Sequence, residues 1–180
     1  MKYVTKTFAQ SAVCSALAVL TLPNFVHAQN CVAGVRASNP SAAYVIDAVK
    51  GTVVDTRTAL MWDQCPYGLS DGACATGTIG GFTWQEALLN VVAANTASYK
   101  GYSDWRVPNV KELRSLAEEC RGEPSINESV FPAAPPAVFW SSTPSVDGPD
   151  NAWGVFAGNG ASNSFARIAT QRVRLVRAGL

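Results

Sequence analysis

The chain has 180 residues, with 14 Lys and Arg against 13 Asp and Glu, a net charge of +1 and a single histidine. Charge this close to neutral excludes bulk electrostatic binding to nucleic acid, and no nucleic-acid partner is expected. The one histidine is His27.

At the N-terminus, Lys2 and Lys6 precede an apolar run from about Phe8 to Leu22, which Pro23 breaks. Val26-His27-Ala28 then places small residues where a signal peptidase reads. The run is shorter than the roughly 20 apolar residues of a membrane span. Residues 1–28 therefore read as a signal peptide cut after Ala28, and 152 residues remain from Gln29 onward. No later segment approaches a span, so the mature chain is expected to be soluble and exported, to the periplasm, the cell surface or the medium. Export takes away Lys2, Lys6 and His27, leaving 12 basic against 13 acidic residues. Without histidine, a Ser-His-Asp triad, a Cys-His pair and His-ligated zinc cannot be assembled.

Four cysteines survive: Cys31, Cys65, Cys74 and Cys120. An even count in an exported chain reads as two disulfides, with three pairings possible. The turn-rich stretch from Pro66 to Ala73 lets Cys65 and Cys74 close on each other, which leaves Cys31 with Cys120. Free buried thiols or a four-thiolate zinc site are the alternatives, and the absence of a Cys-x-x-Cys pair counts against zinc.

Residues 29–50 read as an N-terminal extension held through Cys31, with a strand at Tyr44-Val45-Ile46-Asp47. Val53-Val54 and Leu60-Met61-Trp62 flank the polar Thr56-Arg57-Thr58 and predict a hairpin. Residues 65–81 are loop. Thr83-Trp84-Gln85-Glu86 fits a capping box and opens a helix to about Asn95, with Trp84, Leu88, Val91 and Val92 on one face. Asn109 and Glu112 cap a second helix, predicted to run to Gly122 with Val110, Leu113, Ala117 and Cys120 on its inner face. Val138–Ser142 predicts a strand. Trp153–Phe156 and Ser164–Ile168 predict a hairpin about Gly158-Asn159-Gly160, and Arg172–Val176 an alternating last strand. The sum is an α+β domain over residues 51–179, with two helices, several short and mostly antiparallel strands, and long loops.

Several of these pieces, in this order, resemble one family. They are Val54-Asp55-x-x-Thr58-x-Leu60-Met61-Trp62, Thr83-Trp84-x-x-Ala87-Leu88 and Gly101-Tyr102-Ser103-Asp104-Trp105-Arg106-Val107-Pro108-Asn109-x-Lys111-Glu112-Leu113. Phe139-Trp140-Ser141-Ser142-Thr143 and Val173-Arg174-Leu175-Val176-Arg177 complete the set. The chain resembles the C-terminal domain of the Legionella collagen-like protein from about Gly51 to Gly179, without the collagen-like repeats. The resemblance implies a C-type-lectin-like fold, akin to formylglycine-generating enzymes, and an exported or surface domain. Its namesake is an adhesin for sulfated polysaccharide.

Candidate chemistry follows from particular residues. Asp104, Trp105, Arg106, Pro108 and Glu112 read as a fold motif, with a buried Asp104–Arg106 pair and Glu112 as a helix cap. Carboxylates that could hydrolyse a glycosidic bond include Asp63, Glu118, Glu119, Glu123 and Asp150, though nothing in their spacing sets two across a cleft. Glu118 and Glu119 read as solvated. Glu123-Pro124-Ser125 and Asp150-Asn151-Ala152-Trp153 depart from lectin calcium runs, so no metal is expected. With each cysteine paired, no reactive thiol remains for copper, and no cofactor is expected. Arg167, Arg172, Arg174 and Arg177 form the candidate ligand site. No acid lies between Ala152 and Leu180, and alternation puts Arg172 and Arg174 on one face. Arginine forks suit sulfate or carboxylate oxygens. The tryptophans read mainly as core. The expected function is a non-catalytic binding domain for anionic polysaccharide or an envelope partner. A carboxylate-dependent enzyme on envelope glycans and a structural module of an envelope assembly are the alternatives.

Overall fold

The computed structural model describes residues 31–179. The expected signal peptide and its expected cleavage site lie outside the described residues. No described helix is long and apolar enough to cross a membrane.

The domain is α+β, as the pattern predicts. Strands β1 (Tyr44–Asp47), β2 (Thr52–Asp55), β3 (Leu60–Asp63) and β9 (Val176–Ala178) form an antiparallel sheet in the order β1-β2-β3-β9. Strands β4 (Leu69–Ser70) and β5 (Thr76–Gly77) make a short ribbon around the Cys65–Cys74 disulfide. Strands β6 (Val138–Pro144), β7 (Asn151–Phe156) and β8 (Ser162–Ala166) form a second antiparallel sheet. The β7–β8 turn needs glycine at Gly160, where φ is +75° and a Cβ would sit 2.6 Å from that of Ala117.

Alternation along β3 builds the interior. Trp62 enters one core cluster with Leu113, Phe131, Phe139 and Val176, and Met61 enters a second with Trp105, Trp140, Val173 and Leu175. The chain from Gln171 to Val176 runs between these clusters. Arg172 exchanges backbone hydrogen bonds with Val138 and Trp140, Val173 and Leu175 accept from Tyr67 and Asp63, and Val176 pairs with Arg106. Regular pairing as β9 starts only at Val176, later than the alternation predicts, because the earlier residues bond to several elements in turn.

Both helices carry the predicted capping boxes. Helix α1 (Trp84–Thr96) has Thr83 accepting from the Glu86 amide while Glu86 accepts from that of Thr83. Its inner face centres on Ala87 and Ala94, whose small side chains let the helix lie close, and Val92 is exposed rather than on that face. Helix α2 is shorter than predicted, ending at Arg114. The Ser115 hydroxyl closes it on the Glu112 carbonyl, and the chain turns so that Ala117 pairs with Ile126.

That turn carries Glu118 inward, which corrects its expected solvation. Its carboxylate is buried and accepts from the Ser38 amide, the Ser38 hydroxyl and the Asn39 amide, each at 2.7 Å. With the Cys31–Cys120 disulfide, it fastens the segment before β1 to the domain. Burial opposes its ionisation, but these donors and the Cys120 amide outweigh it and hold the carboxyl below the usual glutamate range.

Glu118→Gln turns its NH2 toward the Asn39 amide and removes the charge that the other donors meet, and should cost about 1–3 kcal/mol in a denaturant melt at pH 7. The parent carries this stabilisation fully above the ordinary glutamate value of about 4.3 and loses it as pH falls through the lower folded value. The difference between parent and variant should therefore shrink on acidification. A gap that is constant from pH 7 to pH 3 contradicts the assignment.

Candidate functional site

The four C-terminal arginines have separate environments. Arg174 is 1% exposed, which corrects its expected place on a surface face. Alternation does oppose it to Val173 and Leu175, but both faces of this segment are interior. Its Nη1 donates to the carbonyls of Asp63 (2.8 Å) and Gln64, and its guanidinium lies 5.0 Å from the ring of Phe131. Burial pushes it down to about 10, partly opposed by the Asp63 charge, so it stays protonated at neutral pH.

Arg177 is taken up by Asp104, with Nε–Oδ1 at 2.6 Å and Nη2–Oδ2 at 3.1 Å, and lies 4.1 Å over the Tyr102 ring. This pair replaces the expected Asp104–Arg106 pair. Trp105 points inward, so its neighbours Asp104 and Arg106 face outward and meet partners from other elements. Arg106 forms a two-point pair with Glu112 at 2.6 and 2.8 Å, because capping at Asn109 turns that carboxylate back toward it. The Arg106 side chain is 44% exposed, so this pair is not buried either. Trp105 is buried, its backbone held at both polar groups by the Asn95 side chain at the end of α1 and its indole donating to Tyr99. The Pro108 carbonyl accepts from the Ser142 amide and joins the motif to β6.

Arg167 and Arg172 flank the residues that enter α1. The Trp84 amide donates to the Arg167 carbonyl, and Phe82 and Gln171 exchange backbone hydrogen bonds. Arg172 is half-buried and reaches the Ile79 carbonyl at 3.4 Å. Arg167 stacks 4.3 Å from the Trp84 ring centre and is steadied by Nε donating to the Asn151 carbonyl at 3.1 Å. Trp84 is itself fixed by its indole N–H on the Ser141 carbonyl. Arg167, Trp84, Gln85 and Leu88 line an open groove of about 440 Å³, with the exposed Ile168 at its edge. A fixed guanidinium on an aromatic plane, open to solvent, can take an anionic oxygen while the apolar wall takes a ring or chain.

A second grouping of cations lies apart from the C-terminal arginines. Lys111 and Arg114 of α2, with Val110, Trp153 and Ser162, line an open groove of about 180 Å³. Trp153 alternates outward on β7 between the buried Ala152 and Gly154. Two cations three positions apart on a short capped helix, beside an outward tryptophan, were the available signal.

Asp63 is buried and pairs with Lys100 at 2.6 Å, and Glu118 is buried in the N-terminal clasp, so neither carboxylate faces a cleft. Cys31, Glu118 and Cys120 are the one grouping of metal-ligand types among the described residues, and its two sulfurs are joined in a disulfide. Trp62, Trp105 and Trp140 are core, while Trp84 and Trp153 are only partly covered.

The profile of the Lcl C-terminal domain matches residues 51–177. The chain belongs to the Lcl C-terminal domain family. Comparison with curated proteins gives no match. Within this Lcl-type domain, Tyr44–Asp47 lies before the matched region yet pairs with β2, and the Glu118 clasp binds residues earlier still.

Arg174→Ala should cost about 3 kcal/mol or more, since it opens a cavity and strands the carbonyls of Asp63 and Gln64. Arg174→Met, which refills the space without a charge, should cost clearly less. Equal melting temperatures for parent and the alanine variant would contradict the packing role.

Proposed function

We propose that the protein is an exported, non-catalytic domain that binds anionic polysaccharide in the groove of Arg167 and Trp84, with Arg172 beside it. One observation carries this: a guanidinium fixed over an indole in an open groove, with no acidic partner among the described residues. The signal-like N-terminus and the two disulfides favour an oxidising compartment outside the cytoplasm. The family resemblance favours a lectin-like scaffold carrying a surface ligand. Arg174 and Arg177 take no part in contact. The first is core and the second is neutralised by Asp104.

Retention on a sulfated-polysaccharide column should fall with salt, because exposed charges are screened. Arg167→Glu with Arg172→Glu should weaken binding at least tenfold, about 1.4 kcal/mol, with a two-state melt retained. A folded double variant that elutes with the parent rejects this groove.

A further inference from the structure

We propose that the groove between α2 and β7 is a subsite for one anionic sugar ring, stacked on Trp153 with its carboxylate or sulfate between Lys111 and Arg114. The inference rests on the polysaccharide reading above but uses none of its residues. Its volume of about 180 Å³ falls below the roughly 300–1,000 Å³ of pockets that enclose a whole drug-sized ligand. It therefore suits one ring of a longer chain. Trp153, only partly covered and lining the groove, supplies the apolar plane for the carbon face of that ring, and a tryptophan gives large contact at low entropic cost.

The charge beside it is uncompensated. Lys111 and Arg114 are exposed, and neither has an ion-pair partner among the described residues. Glu112, the acid on the same helix, is turned away by its bonds to the Asn109 amide and to Arg106. No carboxylate lines the groove. Ser162 also lines the groove, although its hydroxyl is itself enclosed and unpaired among the described residues. A neutral sugar would leave both cations unused, so the ring is charged.

Calorimetric titration of the oxidised protein tests this with three tetrasaccharides: unsulfated hyaluronan, which carries only carboxylates, a carrageenan fragment, which carries only sulfates, and neutral chitin. At least one charged chain should bind, about tenfold or more tighter than the neutral one. Lys111→Ala with Arg114→Ala should lower that affinity at least about tenfold without shifting the melt. Trp153→Ala should do the same, and Trp153→Phe, which keeps the platform, should restore part of the loss and serves if the alanine variant unfolds. If the Lys111/Arg114 variant binds like the parent while Arg167→Glu with Arg172→Glu does not, this subsite is wrong and the polysaccharide reading stands. If the parent binds neither charged chain, both fall.

Discussion

A guanidinium without an acid in contact sits at the centre of this fold, and the arrangement of both sheets depends on it. Past Asp63, β3 leaves its ladder, and the carbonyls of Asp63 and Gln64 need donors inside the protein. Arg174 supplies them from one nitrogen, while the rings of Phe131 and Phe139 lie 5.0 and 5.8 Å from its charge. A lysine could not hold this position as well, because its compact ammonium is more strongly hydrated than the planar guanidinium that the ring faces accept. The residues around it alternate between two cores. Val173 and Leu175 fill one and Val176 the other, so the segment acts as a central strand although its backbone partners change from residue to residue.

Short strands and long loops leave many backbone groups outside ladders, and side chains meet that demand elsewhere too. Asn95 pairs with both polar groups of Trp105 as a neighbouring strand would. Lys100 reaches the Gly51 carbonyl and Asp63, tying the start of β2 to the end of β3. Glu118 gathers the amides of Ser38 and Asn39. Each is a polar side chain that spans a gap in the sheets, and the two disulfides add covalent closure at Cys31–Cys120 and Cys65–Cys74. This is how a domain with such short regular elements closes its two cores.

Local signals in the sequence were legible where local physics decides. The capping boxes at Thr83 and Asn109, the hairpin around Thr56, the strand at Tyr44 and the disulfide pairing all match their patterns. What was not legible depends on distant partners. Alternation put Arg174 opposite Val173, but period two cannot say whether a strand has one buried face or two. The helix after Asn109 stops at Arg114 because Glu118 is drawn toward residues 38 and 39, some eighty positions earlier in the chain. Asp104 and Arg106 look like a pair in sequence, yet each meets a partner from another element.

The same dependence governs which cations can meet a ligand. The arginines nearest the C-terminus share one composition, but Arg174 is consumed by packing and Arg177 by an acid, while Arg167 is held on an indole that leaves its charge uncancelled. On α2 the decisive residue is Glu112. Capping Asn109 and pairing with Arg106 both require its carboxylate to point toward the helix start, which removes it from Lys111 and Arg114. The bonds that begin this helix thus also leave its outer face positive, next to a tryptophan that alternation turns outward. A ligand surface on this scaffold therefore arises where structural bonds spend the acids and leave the cations, and net charge alone does not reveal it.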